Sequence, residues 1–269
     1  MKSKVIIIGS GWLGMPLAVQ LAHQGYEVTS TTTSNNAKIA ESTVPTVVLN
    51  TDFPHQVSTT LQEVNADIMI IAIPPSRKCN DYLSHLTLLS DAAKKTRIKR
   101  VIFISSSSVW GSNVGMVDET IPALPTTDSA CAMLKFEQHL AIQGHFEATT
   151  LRLSGLFGPG RHPGRFLAGR VNVASPNSAV NMIHLTDCIG LIRALLNTPQ
   201  WQSAYTGCAP SHPSRQAFYS QGAETLELPP PRFIADTGTP YKTVCGKHSA
   251  GKLSYDYVYP DLMQALKHC

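Results

Sequence analysis

Val5-Ile6-Ile7-Ile8-Gly9-Ser10-Gly11-Trp12-Leu13-Gly14 joins four apolar residues to three glycines spaced G-x-G-x-x-G. An all-apolar run of this length that stops at glycine has the pattern of a strand buried on both faces. Beyond the glycines, Leu13, Leu17 and Leu21 recur every fourth residue, Pro16 suits a first helical turn and Gly25 suits a helix end. Residues 27–33 then read as a second strand, rich in β-branched threonine. Strand, glycine turn, helix and strand in this order form a cradle for a dinucleotide. Gly9 permits the tight turn, Gly11 admits a pyrophosphate and Gly14 lets helix and strand approach. The N–H groups at the helix start favour the anion. Gly9, Ser10, Gly11, Trp12, Leu13 and Gly14 are therefore candidate cofactor contacts.

The end of the second strand bears on which dinucleotide. An NAD site usually carries Asp or Glu there to accept from the ribose 2′-hydroxyl. Here the residues are Thr31-Thr32-Thr33-Ser34-Asn35-Asn36, with Lys38 close by. No carboxylate would repel a 2′-phosphate, so the expectation is NADP or NAD, with NADP slightly favoured and Thr32, Thr33 and Ser34 in contact. Asp52 is either an adenine contact or a solvated loop acid.

The alternation continues outward. Residues 46–49, 68–73, 101–105 and 149–153 are strand candidates, the second ending at Pro74-Pro75, and residues 81–95 and 129–142 are helix candidates. Strands alternating with helices predict an α/β fold, a Rossmann-type doubly wound parallel sheet. Ile73, Pro74 and Ser105 close strands of that sheet and join the candidate cofactor set. After Ser154 glycines and prolines crowd a loop, and one further helix is expected after Thr186-Asp187, read as its N-cap. The expected division is a Rossmann core over 1–155 and a small irregular C-terminal lobe over 156–269. Residues of about 180–208 return to the core.

Composition narrows the function. With 43% hydrophobic and 15% charged residues in 269, the chain has material for a core. A formal charge of +4 is too small to imply a nucleic-acid binder. The basic run Lys94, Lys95, Arg97, Lys99, Arg100 falls between a helix end and a strand start, where cations complement the helix dipole. Six cysteines without a C-x-x-C pair point to a reducing, cytoplasmic setting. Glycines break the N-terminal apolar run, so neither an export signal nor a membrane span is expected. No metal site is expected, because His184 and Asp187 have no third ligand at usable spacing.

Three further segments carry a resemblance. Residues 101–111, VIFISSSSVWG, residues 152–160, RLSGLFGPG, and residues 183–187, IHLTD, follow the glycine motif in order. Together they resemble the extended short-chain dehydrogenase/reductase superfamily, the NAD(P)-dependent sugar-nucleotide epimerases and dehydratases. The resemblance implies that Ser106 is the catalytic hydroxyl and that Lys135 is the lysine of the Tyr-x-x-x-Lys pair, binding the nicotinamide ribose. It puts Cys131 at the tyrosine position. A thiol is shorter than a phenol by a ring, so Cys131 is read either as a buried helix residue or as a displaced acid/base. Tyr82 and His162 are alternative proton carriers. The resemblance also puts Arg161, His162 and Arg165 where substrate would lie, and arginine forks suit phosphate. Two functions follow as expectations. One is an atypical oxidoreductase or epimerase acting on a small molecule, phosphorylated or nucleotide-linked. The other is a catalytically silent NAD(P)-binding sensor or partner-binding protein. In either case the partners are expected to be small molecules and a second copy in a homodimer, with no nucleic acid or membrane.

Overall fold

The computed structural model describes residues 3–33, 43–75 and 81–269. Ser34, Asn35, Asn36, Lys38 and Cys79 lie outside them. The chain forms two compact units. The first comprises the described residues of Met1–Ser105 with Thr126–Leu151 and Pro199–Ala204. The second comprises Ser106–Pro125, Arg152–Thr198 and Tyr205–Cys269.

The strands are β1 (Lys4–Ile8), β2 (Glu27–Thr32), β3 (Thr46–Val48), β4 (Ile68–Ile71), β5 (Arg100–Ser106), β6 (Gly115–Val117), β7 (Glu147–Leu153), β8 (Gly155–Phe157), β9 (Met182–His184), β10 (Ala204–Gly207) and β11 (Lys242–Val244). Seven of them form one sheet in the order β10-β7-β5-β4-β1-β2-β3, and each pairing from β5 to β3 is parallel. This is the Rossmann-type α/β architecture that the alternation predicts. Val5, Ile6, Ile7 and Ile8 are buried, as a central strand requires.

Helix α1 (Gly14–His23) follows β1 and buries Leu17, Ala18 and Leu21. It ends at Gly25, φ +84°, with the Tyr26 N–H donating to the Leu21 carbonyl, a left-handed cap that glycine adopts without strain. Helices α2 (Pro54–Val64), α3 (Tyr82–Ala93) and α4 (Asp128–Ala141) pack in succession. Phe136 of α4 meets Phe103 of β5 edge-on at 4.9 Å, and His139 Nε2 lies 2.8 Å from Ser90 Oγ of α3.

The second unit is more regular than the irregular lobe expected. It contains the short helix α5 (Gly164–Leu167) and α6 (Leu185–Asn197), α7 (Arg215–Thr225), α8 (Lys247–Lys252) and α9 (Leu262–Ala265). Residues 106–125, expected in the core, belong here because β6 pairs in parallel with β11. Phe157, Val180, Met182, Phe218, Leu262 and Leu266 share its buried core. α5 and α7 touch through glycines: a Cβ on Gly164 would stand 2.0 Å from the Gly222 carbonyl oxygen.

Helix α6 corrects the expected N-cap. His184 caps it, its Nδ1 accepting from the Thr186 N–H at 3.2 Å, and Asp187 lies in the first turn, fully buried. The Asp187 carboxylate accepts from Tyr255 Oη at 2.7 Å, the Val258 N–H at 2.7 Å and the Tyr259 N–H at 3.1 Å. It clamps the chain turn after α8.

Candidate functional site

In the first unit, the strand order reverses between β1 and β4, where ligands of such sheets bind beyond the strand ends. Gly9 leaves β1 with φ +107°, a conformation natural only to glycine. A Cβ there would stand 2.9 Å from Ile73 Cγ2, so Gly9 and Ile73 close the crevice floor together. The turn is tied to β2. The Gly9 N–H donates to Thr31 Oγ1 at 3.1 Å, the Ser10 N–H to the Thr31 carbonyl at 2.7 Å and Ser10 Oγ to the same carbonyl at 2.6 Å. Ser10 Oγ also meets Ser30 Oγ.

The three glycines divide by cause. A Cβ on Gly14 would stand 1.9 Å from the Gly9 carbonyl oxygen, so packing alone demands glycine. A Cβ on Gly11 would meet nothing within 4 Å. Packing therefore does not explain Gly11, whereas close approach of a ligand to the backbone at the start of α1 does. The residues fit a dinucleotide pyrophosphate. Leu13 is buried and Trp12 half-buried beside it.

The other cofactor candidates have assorted surroundings. Thr31 is occupied by the turn, while Thr32 and Thr33 are progressively more exposed at the strand end. Asp52 lies 3.1 Å from His85 Nε2 of α3. The Ile73 carbonyl accepts from Tyr82 Oη at 2.8 Å, which holds that phenol in the packing of α3, and exposed Pro74 follows. Ser105 Oγ donates to Glu137 Oε1 at 2.6 Å, both residues buried. Sequence reasoning missed Glu137. Its signal is a lone acid on the apolar face of α4. On that helix Cys131 is half-buried and Lys135, one turn on, is exposed.

The second unit carries Ser106, whose Oγ accepts from the Ser108 N–H at 3.1 Å and caps the 3-10 helix Ser107–Trp110. Trp110 is fully buried under the Arg152 guanidinium, 5.0 Å from its ring centre. The glycine-rich segment after β8 folds into a tight turn. Gly158 and Gly160 have φ +144° and +74°, and the Arg161 N–H donates to the Gly158 carbonyl at 2.8 Å.

Arg161 thereby reaches a cavity of about 350 Å³ with Arg215, Lys242, Tyr219, Phe166 and Asn181 in its wall. Among the described residues, three basic side chains and no carboxylate line it. Arg215 also donates Nη1 to the Ala174 carbonyl at 2.7 Å, and Lys242 donates Nζ to the Ser107 carbonyl at 3.2 Å. Burial holds the Lys242 ammonium below its ordinary pKa. Arg165 is exposed and outside the cavity wall. His162 has both nitrogens engaged. Nδ1 accepts from the Gly164 N–H and Nε2 donates to the Leu266 carbonyl, each at 3.0 Å. It is therefore a clamp on the chain end. Arg215 and Lys242 went unread because neither stands in a motif; the Ser214 cap before Arg215 was the available signal.

Comparison with known proteins agrees with this geometry. Residues 5–184 match the NAD dependent epimerase/dehydratase family. The chain is 40% identical to Protein YeeZ of Escherichia coli K12, over 96% of this chain and 97% of that protein. Its fold is similar to that of a Methylobacillus flagellatus protein assigned to the NAD-dependent epimerases/dehydratases, with TM-score 0.84, 23% identity and coverage of 98% and 96%. It is also similar to UDP-glucose 4-epimerase of Brucella ovis in complex with NAD, with TM-score 0.83, 17% identity and coverage of 100% and 97%. The glycine turn, the strand order and the match over most of the chain converge on one assignment, and this chain belongs to the NAD dependent epimerase/dehydratase family.

Proposed function

We propose that the protein is an NAD(P)-dependent enzyme acting on a carbinol or carbonyl of a phosphorylated or nucleotide-linked small molecule. The observation that carries this reading is Gly11, a glycine with open space over it at the start of α1. Bound NAD(P) supplies hydride acceptance and return. The chain supplies the rest. The Ser106 hydroxyl accepts from a backbone N–H, which leaves its proton to orient toward a substrate carbonyl. Lys135 is the candidate ribose contact, and the Arg161 and Arg215 forks suit phosphate oxygens. The missing carboxylate at the end of β2 supports NADP over NAD.

A second reading, a catalytically silent NAD(P) sensor, is favoured by Cys131 standing one turn before Lys135. A phenol at that position would reach farther than a thiol. In both readings the protein is cytoplasmic, works on small molecules and forms a homodimer. Among the described residues no helix is long and apolar enough to cross a membrane.

Calorimetric titration with UDP-glucose tests the anion site. Replacing Arg161 or Arg215 by Met should weaken binding about tenfold or more, the loss of one charge-assisted pair. Unchanged affinity in both variants would remove the substrate from this cavity.

A further inference from the structure

Strand β11 has a cavity on each side. Alternate residues of a strand point to opposite faces, and Lys242 lines the basic cavity while Thr243 lines a second one of about 600 Å³. The second cavity lies wholly within the second unit and falls in the size range of small-molecule sites. The proposed reaction does not use it.

Its interior is aromatic. Tyr255 and Tyr257, which follow α8, meet edge to face with 5.5 Å between ring centres. Both hydroxyls are engaged by the protein: Tyr255 Oη donates to Asp187 at 2.7 Å, and Tyr257 Oη accepts from the Cys208 N–H at 3.4 Å. Burial pushes both phenols well above their ordinary pKa, so they stay neutral. What they offer the cavity is ring surface. A Cβ on Gly246 would stand 2.5 Å from Tyr257 Oη, so this glycine of the wall admits that ring. Met116 of β6, 70% exposed, adds a flexible thioether to the wall, a group that adapts to a flat ring.

Three polar groups of the wall remain to read a ligand. His212 Nδ1 donates to the Val180 carbonyl at 3.1 Å, which leaves Nε2 as an acceptor in the neutral ring, and burial favours that neutral form. Lys247 and Asp256 are exposed, and neither has an ion-pair partner among the described residues. One cation, one anion and one acceptor thus border an aromatic interior.

We propose that this cavity binds a free aromatic amino acid whose ring carries a hydrogen-bond donor, tryptophan fitting best. The ligand carboxylate pairs with Lys247, its ammonium with Asp256, and its indole N–H with His212 Nε2, the ring lying against Tyr255 and Tyr257. Indole nitrogen only donates, as a lone acceptor asks, whereas a phenol brings lone pairs that need donors of their own. Exposed ion pairs contribute little, so the two charges select the zwitterion while ring burial and the N–H carry the affinity. Binding here requires neither the dinucleotide nor the basic cavity.

The native chain supplies its own reporter. Cys245 lines the cavity and is half-buried, whereas Cys131, also half-buried, belongs to the first unit. Alkylation by iodoacetamide, followed peptide by peptide by mass spectrometry, should slow at Cys245 when L-tryptophan is added and stay unchanged at Cys131. In calorimetric titration 1-methyl-L-tryptophan, which lacks the N–H, should bind about tenfold more weakly, the loss of one buried hydrogen bond. Tryptamine, which lacks the carboxylate, should bind about two- to fivefold more weakly. His212→Phe should bind L-tryptophan and its 1-methyl derivative equally, because the coupling between indole N–H and imidazole is gone. Absence of both binding heat and Cys245 protection at millimolar L-tryptophan would overturn the proposal. So would equal affinity for the two indoles in the unsubstituted protein, equal slowing of Cys131, or a preference for L-tryptophan that survives in His212→Phe. Should His212→Phe not fold, the two indoles on the unsubstituted protein decide.

Discussion

Gly14 and Asp187 show how differently single residues declare themselves. Gly14 is legible from spacing alone, because its reason lies five residues upstream in the Gly9 carbonyl. Gly14→Ala should force the turn apart and destabilise the fold by about 1–3 kcal/mol, as overpacking does. Urea unfolding checks it, and an unchanged midpoint would contradict the packing. Asp187 looks in sequence like an ordinary helix N-cap, because its partners lie 68 to 72 residues away and leave no local trace. Asp187→Ala would strand two backbone N–H groups and the Tyr255 hydroxyl. At about 1–3 kcal/mol for an unsatisfied buried group, a loss of about 3 kcal/mol or more is expected. A loss within experimental error would show that water or rearranged chain replaces the carboxylate. Lys242 was unreadable for the same reason as Asp187, since Ser107 stands 135 residues away.

At the scale of elements, strands of the parallel sheet announce themselves through apolar runs bounded by glycine or proline. Helix α2 does not, because its apolar face of Val57, Leu61 and Val64 is diluted by Ser, Thr, Gln and His. The chain end after α9, with its 3-10 turn Leu266–His268, is secured by two histidines rather than by a long apolar stripe. His184 Nε2 donates to the His268 carbonyl at 3.1 Å and His162 Nε2 to the Leu266 carbonyl. Each ring accepts a backbone N–H at Nδ1, so both must be neutral, and burial lowers both from the ordinary value of 6.5. A native pKa below the unfolded one means that the unfolded chain binds more protons in the window between them. The contribution is therefore complete above 6.5 and is lost as pH falls through the native values. The Tm should drop on acidification from pH 8 to pH 5 and respond less in His184→Gln, which cannot titrate. Equal drops in both proteins would assign the sensitivity elsewhere.

For the molecule as a whole, the family, the parallel sheet and the glycine turn were legible because each depends on near neighbours in sequence. The composition of the second unit was not, since it gathers three separated segments whose pairings, such as β6 with β11, are long-range. The same limit divides the functional account. The dinucleotide cradle could be read residue by residue, whereas the basic cavity draws on Arg161, Arg215 and Lys242 from distant positions. The dinucleotide preference turns on the end of β2, and Thr32→Asp should shift it toward NAD by adding an acceptor that repels the 2′-phosphate. Dinucleotide binding at the glycine turn is the claim on which the rest depends, and calorimetric titration of the unsubstituted protein and Gly11→Val with NADP and NAD tests it most directly. The account predicts that the unsubstituted protein binds both, NADP more tightly, and that Gly11→Val loses both with its unfolding curve unchanged. Equal affinity in Gly11→Val would place the dinucleotide elsewhere and contradict it.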